Sequence, residues 1–173
     1  SQGIAIPFYL AHPRLEALER KMMGKVEGGS VRSFRKILWH ELGHVVDNAH
    51  GLRRNKVRQQ LFGPSSKDYP FDYDFVLHNS RYVKNLGEAY AQSHPDEDFA
   101  ETFAVWLRGK SHWAKTYKRT GAFEKLQWMD QILKSVAKTP NSLGSAPRIL
   151  KAKTNQAMDP LASLEMTLGE YYQ

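Results

Sequence analysis

Residues Val31 to Ala49 read VRSFRKILWHELGHVVDNA and carry the clearest structural signal in the chain. Its spacing predicts an amphipathic helix whose buried stripe is formed by Ile37, Leu38, Val45 and Val46. Gly51 predicts the end of this helix, since glycine readily adopts the left-handed conformation there. His40 and His44 lie one turn apart on one face, so both imidazoles can reach a single metal ion.

Glu41 completes the pattern His-Glu-x-x-His at positions 40–44. On a helix its carboxylate lies about 100° round from His40, where it can contact a water on the metal rather than the metal itself. In this pattern the two histidines bind zinc and the glutamate is the general base of a metallopeptidase. The motif therefore predicts one Zn²⁺ as cofactor, a protein or peptide as substrate, and Glu41 as the base.

The composition is that of an ordinary globular domain. The chain has 173 residues, of which 41% are hydrophobic, enough for one core. No cysteine is present, which excludes thiolate ligands and leaves histidines and carboxylates to hold a metal. The sequence contains no run of about 18 apolar residues, so no membrane-spanning helix is predicted. The chain opens without a signal peptide, so we expect a cytoplasmic monomer that does not bind membranes.

The net charge of +7 indicates a basic surface. Such a surface serves solubility, or it attracts nucleic acid or an acidic partner. The basic run at 53–58, RRNKVR, fits a solvated helix end or a contact with a phosphate or a charged substrate. Charge alone does not distinguish these interpretations, so nucleic acid remains a possible partner.

Patterning outside the central helix predicts an α+β fold, mostly helical, with a small mixed sheet over the active-site helix. Residues 3–10, GIAIPFYL, are typical of a strand, either the edge strand beside a substrate cleft or an ordinary one. Further helices are predicted over 13–23, 96–108 and 110–138. Residues 61–82 are rich in aromatics and lack helical spacing, which predicts an irregular insertion, packed by its own side chains, that lines the cleft.

A catalytic zinc takes three protein ligands and a water, so a third ligand is needed. The candidates are four histidines and two acids: His50, His78, His94, His112, Glu97 and Glu101. No helix-breaking glycine separates His44 from His50, which argues against His50. Glu97 and Glu101 lie one turn apart on an aromatic-rich helix and face either solvent or the zinc helix. The histidine pair favours the second arrangement.

Two motifs together resemble a known family. His-Glu-Leu-Gly-His at 40–44 and Glu-Asp-Phe-Ala-Glu at 97–101 are similar to those of a bacterial family of zinc-binding metallopeptidases. The likeness covers about residues 3–138 and includes IAIPFYLAHPRL and AQSHPDEDFAETFAVWL. More distantly, the site resembles the gluzincins of the anthrax lethal factor and Pro-Pro endopeptidase type. Asp98 departs from that pattern, which has an aromatic residue there.

The resemblance implies a zincin-like domain over residues 1–138, and composition predicts a linker and a basic C-terminal tail over 139–173. It implies that Glu97 is the third zinc ligand and that Glu101 hydrogen-bonds the ligands. It also implies that Tyr90, seven residues before Glu97, stabilises the oxyanion. Asp47, almost above His40 on the helical wheel, is a weaker candidate for a partner of the ligands.

Two other functions compete with this prediction. A DNA-associated protease of the SprT-like type also combines this motif with a basic surface, but it uses a third histidine, and Glu97 as ligand argues against it. A catalytically inactive zinc-binding module for structure or interaction needs no general base, so the intact Glu41 argues against that function.

Overall fold

The computed structural model describes residues 4, 6–87, 89–138 and 167–172 of the chain. The α-helices of this part are α1 (Pro13–Met23), α2 (Val31–Ala49), α3 (Lys56–Phe62), α4 (Pro95–Trp106), α5 (Lys110–Thr116), α6 (Gly121–Lys138) and α7 (Leu168–Tyr171). Short 3₁₀ turns lie at Phe8–Ala11, Leu52–Arg54 and Tyr90–Gln92. None of these helices combines the length and the apolar composition that crossing a membrane requires.

The predicted α+β fold class is wrong, because the described part of the chain contains helices and turns but no β-strand. The segment predicted as a strand leads instead into the turn Phe8–Ala11, where the Leu10 N–H donates to the Pro7 carbonyl at 3.1 Å. Gly3 and Ala5 lie outside the described residues. A strand needs a second strand to satisfy its backbone groups. Since no described segment supplies one, the mixed sheet has no basis.

Helix α2 begins and ends at local signals in the sequence. The Ser30 side chain accepts from the Ser33 N–H and the Ser33 side chain accepts from the Ser30 N–H, a reciprocal cap. Gly51 follows the helix with φ of 60°, so the predicted glycine ending is confirmed. The long helix that carries the His-Glu-x-x-His pattern is therefore bounded by its own sequence.

Helix α4 is the centre of the molecule and is buried along nearly its whole length, from Pro95 to Val105. One side of it packs in a cluster made of Leu52, Phe62, Phe99, Phe103 and Met129. The other side packs in a cluster made of Val83, Val105, Trp113, Ala122 and Leu126. Burial on all sides explains why polar residues of α4 must find partners inside the protein.

Helices α2 and α4 cross at Gly43. A Cβ atom on Gly43 would lie 2.8 Å from the Cα of Ala100, which is closer than two non-bonded carbon atoms can approach each other. Glycine is therefore required for this crossing, because any side chain would push the two backbones apart. The close approach brings the histidines of α2 next to the acids of α4.

The segment between α3 and α4 is irregular, as predicted, with only the turn Tyr90–Gln92 near its end. Its aromatic side chains pack on one another only in part, since the Tyr73 and Phe75 rings lie 6.2 Å apart but most of the others face solvent. Tyr69, Phe71 and Phe75 are exposed, and Phe71 is the most exposed large apolar residue in the described chain. The prediction of a self-packed insertion is therefore wrong for this part of the loop.

The linker and basic C-terminal tail predicted over 139–173 lie mostly outside the described residues, which resume at 167. The short helix α7 lies against the N-terminal region, with the Tyr171 ring 5.1 Å from the ring of Phe8. The Tyr172 hydroxyl donates to the Glu19 carboxylate at 2.7 Å. The domain boundary at residue 138 stays a prediction.

Candidate metal centre

His40, His44 and Glu97 converge on one point between α2 and α4. Their ligand atoms all lie within 4.8 Å of one another, and within the described chain they form the one such group of histidines and acids. Glu97 Oε2 lies 3.0 Å from His40 Nε2 and 3.4 Å from His44 Nε2, and the two imidazole nitrogens are 3.1 Å apart. These side chains therefore present two nitrogens and one oxygen to the same small space.

Glu101 contacts the far side of the His40 ring, where its Oε1 accepts from Nδ1 at 2.9 Å. Because this bond keeps a proton on Nδ1, Nε2 is the nitrogen that faces the convergence point and is available to a metal once it loses its own proton. Burial alone would lower the pKa of His40, but hydrogen bonds to Glu101 and Glu97 raise it to about 9. The space around the His40 ring therefore favours a positive charge.

Glu101 is held in turn by the loop that precedes α4. Its Oε2 accepts from the Asn85 N–H at 3.1 Å and from the Leu86 N–H at 2.9 Å, and its Oε1 accepts from the Asn85 side-chain amide at 3.0 Å. Arg108 donates to Asn85 Oδ1 at 2.8 Å. These bonds satisfy a fully buried carboxylate with donors and keep it aimed at His40. Sequence analysis did not predict a role for Asn85.

Tyr69 contacts the second oxygen of the Glu97 carboxylate, donating to Oε1 at 2.9 Å. Burial alone would raise the pKa of Glu97, but hydrogen bonds with His40, His44 and Tyr69 hold it well below the usual range. The Tyr69 ring stacks on His94 at 3.7 Å, and His94 Nδ1 caps α4 by accepting from the Asp96 N–H at 3.1 Å. The exposed loop is thereby linked to the helix that carries Glu97.

Glu41 and Tyr90 both line an open pocket of about 320 Å³ beside the convergence point. Apolar walls come from Pro7, Ile37 and Leu86. The ring centroid of Tyr90 lies 5.4 Å from that of His40, and burial together with the Glu97 carboxylate raises the pKa of the phenol. The Glu41 carboxylate forms no hydrogen bond with other residues of the described chain, so it can contact a molecule in the pocket.

Asp47 lies in a different network. Its Oδ2 accepts from Arg58 Nη2 at 3.0 Å and from Arg53 Nε at 3.4 Å, and neither ligand histidine contacts it. Arg58 also donates to Asp96 Oδ1 at 2.6 Å and is completely buried. The interpretation of 53–58 as a solvated helix end is therefore wrong for Arg58. We call Asp47, Arg53, Arg58 and Asp96 the arginine network.

The other candidate histidines lie away from the convergence point. His50 follows the last residue of α2, His78 pairs with Lys84, and His112 lies in α5. His94 is used by the cap of α4 and by the Lys67 carbonyl, 2.7 Å from its Nε2. None of them joins the group of His40, His44 and Glu97.

The donor set suits zinc. Two imidazole nitrogens and one carboxylate oxygen are the protein ligands of one type of catalytic zinc site, which keeps its fourth position for water or substrate. The open pocket adjoins these donors through His40, which lines it. Fold and site together thus define a helical protein with a candidate metal centre of two histidines and one glutamate.

The comparison with protein families agrees with this class. The family described as "putative zinc-binding metallo-peptidase" matches residues 16–169, and the chain belongs to it. No curated protein and no solved structure gives a significant match to the chain.

Proposed function

We propose that this protein is a zinc-dependent endopeptidase of the gluzincin type, with His40, His44 and Glu97 as the ligands of a single zinc ion. The observation that carries the proposal is the convergence of these three side chains beside a pocket that contains Glu41. Family membership supports the metal and the substrate class, a protein or peptide.

Zinc held by these ligands supplies the chemistry of a Lewis acid, lowering the pKa of water and polarising a carbonyl. Glu41 accepts the proton of the attacking water and delivers it to the leaving amine. Its freedom from hydrogen bonds within the described chain supports this role. The apolar walls of the pocket receive the substrate and limit competing water.

Tyr90 donates its hydroxyl proton in a hydrogen bond to the oxygen of the scissile carbonyl as negative charge develops there. The phenol must be protonated for this role, and the raised pKa of Tyr90 keeps it so. Glu101 acts on His40 rather than on substrate, since its bond to Nδ1 holds the ring in the tautomer that binds metal.

The position of Glu41 supports an enzyme rather than an inactive zinc-binding module. A metal that only stabilises a fold is enclosed by four protein ligands, whereas a catalytic metal keeps a position open. Here three donors lie beside an accessible pocket that contains a carboxylate without a structural partner. This arrangement favours catalysis.

We also propose that the protein acts as a monomer.

The first test is the metal content of purified protein, measured by elemental analysis. We expect about one zinc per chain in the wild type, as one three-ligand site requires, and none in Glu97→Ala. His50→Ala is the matched control because His50 directly follows α2, and it should keep its zinc. Zinc retention by Glu97→Ala would refute the ligand assignment.

The second test is peptide hydrolysis, followed by mass spectrometry of a peptide library. Glu41→Gln should keep its zinc and lose a factor of about 10² to 10⁴ in activity, the usual contribution of a general base. Glu124→Gln, the same change on the exposed side of α6, is the control and should retain activity. A zinc-loaded wild type that cleaves no peptide would support the inactive module instead.

A further inference from the structure

A second pocket, of about 250 Å³, lies on the opposite side of α2 from Glu41. It is lined by Arg32, Arg35, Lys36, Trp39, Arg108 and His112. Trp39 and Glu41 differ by two positions, about 200° round the helix, so the pocket is separate from the candidate metal centre. We call it the basic pocket.

The basic pocket concentrates positive charge without a carboxylate to balance it. Its lining contains three arginines and one lysine, and His112 adds a further charge when protonated. Within the described chain, neither Arg32, Arg35 nor Lys36 forms an ion pair, although other arginines, such as Arg58, do. A concave site lined by charge of one sign raises the local concentration of counter-ions. The site is therefore suited to an anion.

The donors are also organised for an oxyanion. Arg108 is held by its bond to Asn85 Oδ1, which fixes one guanidinium at the pocket wall. Arg35 lies 5.9 Å from the ring of Trp39, a cation–π distance that orients a second guanidinium. Planar guanidinium groups bind phosphate oxygens in pairs of hydrogen bonds, which a lysine alone does not reproduce.

We propose that the basic pocket binds a phosphate monoester group. A phosphate monoester carries close to two negative charges and three acceptor oxygens, so a single group can use several of these donors at once. A peptide carboxylate has one charge and would leave most of the cations unpaired. A nucleic-acid backbone carries its charges spaced along a strand, whereas the cations here surround one small pocket.

The experiment is calorimetric titration of the zinc-loaded full chain at physiological ionic strength with inorganic phosphate and with a phosphoserine peptide. The test variant is the double substitution Arg35→Gln, Lys36→Gln. The chain offers a matched control, since Arg20 and Lys21 are an adjacent Arg-Lys pair at the exposed end of α1. Arg20→Gln, Lys21→Gln thus removes the same charge elsewhere.

We expect the wild type to bind both ligands and the test variant to bind them at least roughly tenfold more weakly, the factor that loss of one strong contact gives. The control variant should bind like the wild type. No detectable binding by the wild type, or equal weakening in both double variants, would overturn the proposal, since the second result indicates general charge attraction.

Three further ligands identify the source of the phosphate. They are a 5′-mononucleotide, the unphosphorylated form of the same peptide, and a single-stranded oligonucleotide without a terminal phosphate. We expect the unphosphorylated peptide not to bind. The mononucleotide should bind more tightly than the phosphoserine peptide if the natural ligand is a nucleotide, and more weakly if it is a phosphoprotein. Tighter binding of the oligonucleotide than of any monoester would overturn the proposal in favour of a nucleic-acid backbone.

Discussion

Three consecutive acids open helix α4, and their partners differ in a way that separates two regions of the molecule. Asp96 belongs to the arginine network, where Arg58 neutralises it. Asp98 pairs with Lys125 at 2.5 Å, and burial raises its pKa to about 7 in spite of that lysine. Glu97, between them, faces the imidazoles of His40 and His44.

The difference indicates that the candidate metal centre, unlike the arginine network, can take up a cation from solution. A buried carboxylate is stable only when a positive charge or several hydrogen bonds compensate the loss of water. The arginine network obtains that charge from permanent cations of the chain itself. Around Glu97 the candidate metal centre has imidazoles and hydroxyls instead, and His40 carries its charge only while it holds an exchangeable proton. A divalent ion would replace that proton. This comparison can be tested by substitutions whose effect on the free energy of unfolding is measured with and without zinc.

The largest effect is expected from Arg58→Met. Within the described chain, the change leaves Asp47 and Asp96 buried with Arg53 as their one cationic partner, and breaking a buried pair in this way costs about 3–5 kcal/mol. We expect a loss of that size in the free energy of unfolding, measured with urea, whether or not zinc is present. Arg54→Met, an exposed neighbour, should change it by less than about 0.5 kcal/mol. Equal effects of the two substitutions would contradict this account of the network.

The next effect concerns zinc and Glu97. Zinc at roughly a thousand times its dissociation constant should raise the free energy of unfolding of the wild type by about 4 kcal/mol. Glu97→Gln should lose most of this increment, because a neutral amide is a poor zinc ligand. The measurement is urea unfolding with zinc and with a chelator.

Asp96→Asn is the matched control for that comparison, one position away on the same helix. It should lower stability in both conditions and keep the zinc-dependent increment, since Asp96 contacts Arg58 and Arg53 rather than the histidines. An increment that disappears in both variants would show that the two regions are not separate.

Glu101→Gln should have a smaller effect on zinc affinity, a loss of about 10- to 100-fold. The expected effect is indirect, because Glu101 contacts the ring of His40 and is not itself a proposed ligand. Competition with a chromophoric chelator measures the affinity. The structure predicts a similar loss for Asn85→Ala, which removes one of the donors that hold Glu101. Unchanged affinity in both variants would remove Glu101 from the proposed site.

The helices that carry the candidate site were predictable because their signals are local. The spacing of His40 and His44 and the glycine at 51 act within one helix, and that helix forms over the predicted residues. The placement of Glu97 and Glu101 against α2 rested on the motif and the resemblance, not on periodicity. The contact that brings the two helices together depends on Gly43, which the sequence does not distinguish from any other glycine.

Features that depend on distant contacts were not predictable. The run at 3–10 has the composition of a strand, but a sheet exists only when a second strand is available. Arg58 lies in a basic run that suggests solvent, yet it is buried because Asp47 and Asp96 come from two other helices. Tyr69 lies in a loop without periodicity, and only the folded chain brings it to Glu97.

The smallest effect is expected from Tyr69→Phe. The hydroxyl donates to the Glu97 oxygen that does not face the histidines, so it positions the carboxylate without binding the metal. Tyr69 is mostly exposed, and water can replace part of the lost bond. We therefore expect a loss near the lower end of the range for hydrogen bonds, about 1 kcal/mol or roughly fivefold in zinc affinity. Tyr73→Phe, in the same loop, removes a hydroxyl that bonds no other described residue and should leave affinity unchanged. Equal affinities of the Tyr69 variant and the wild type would show that Glu97 is held by the histidines alone.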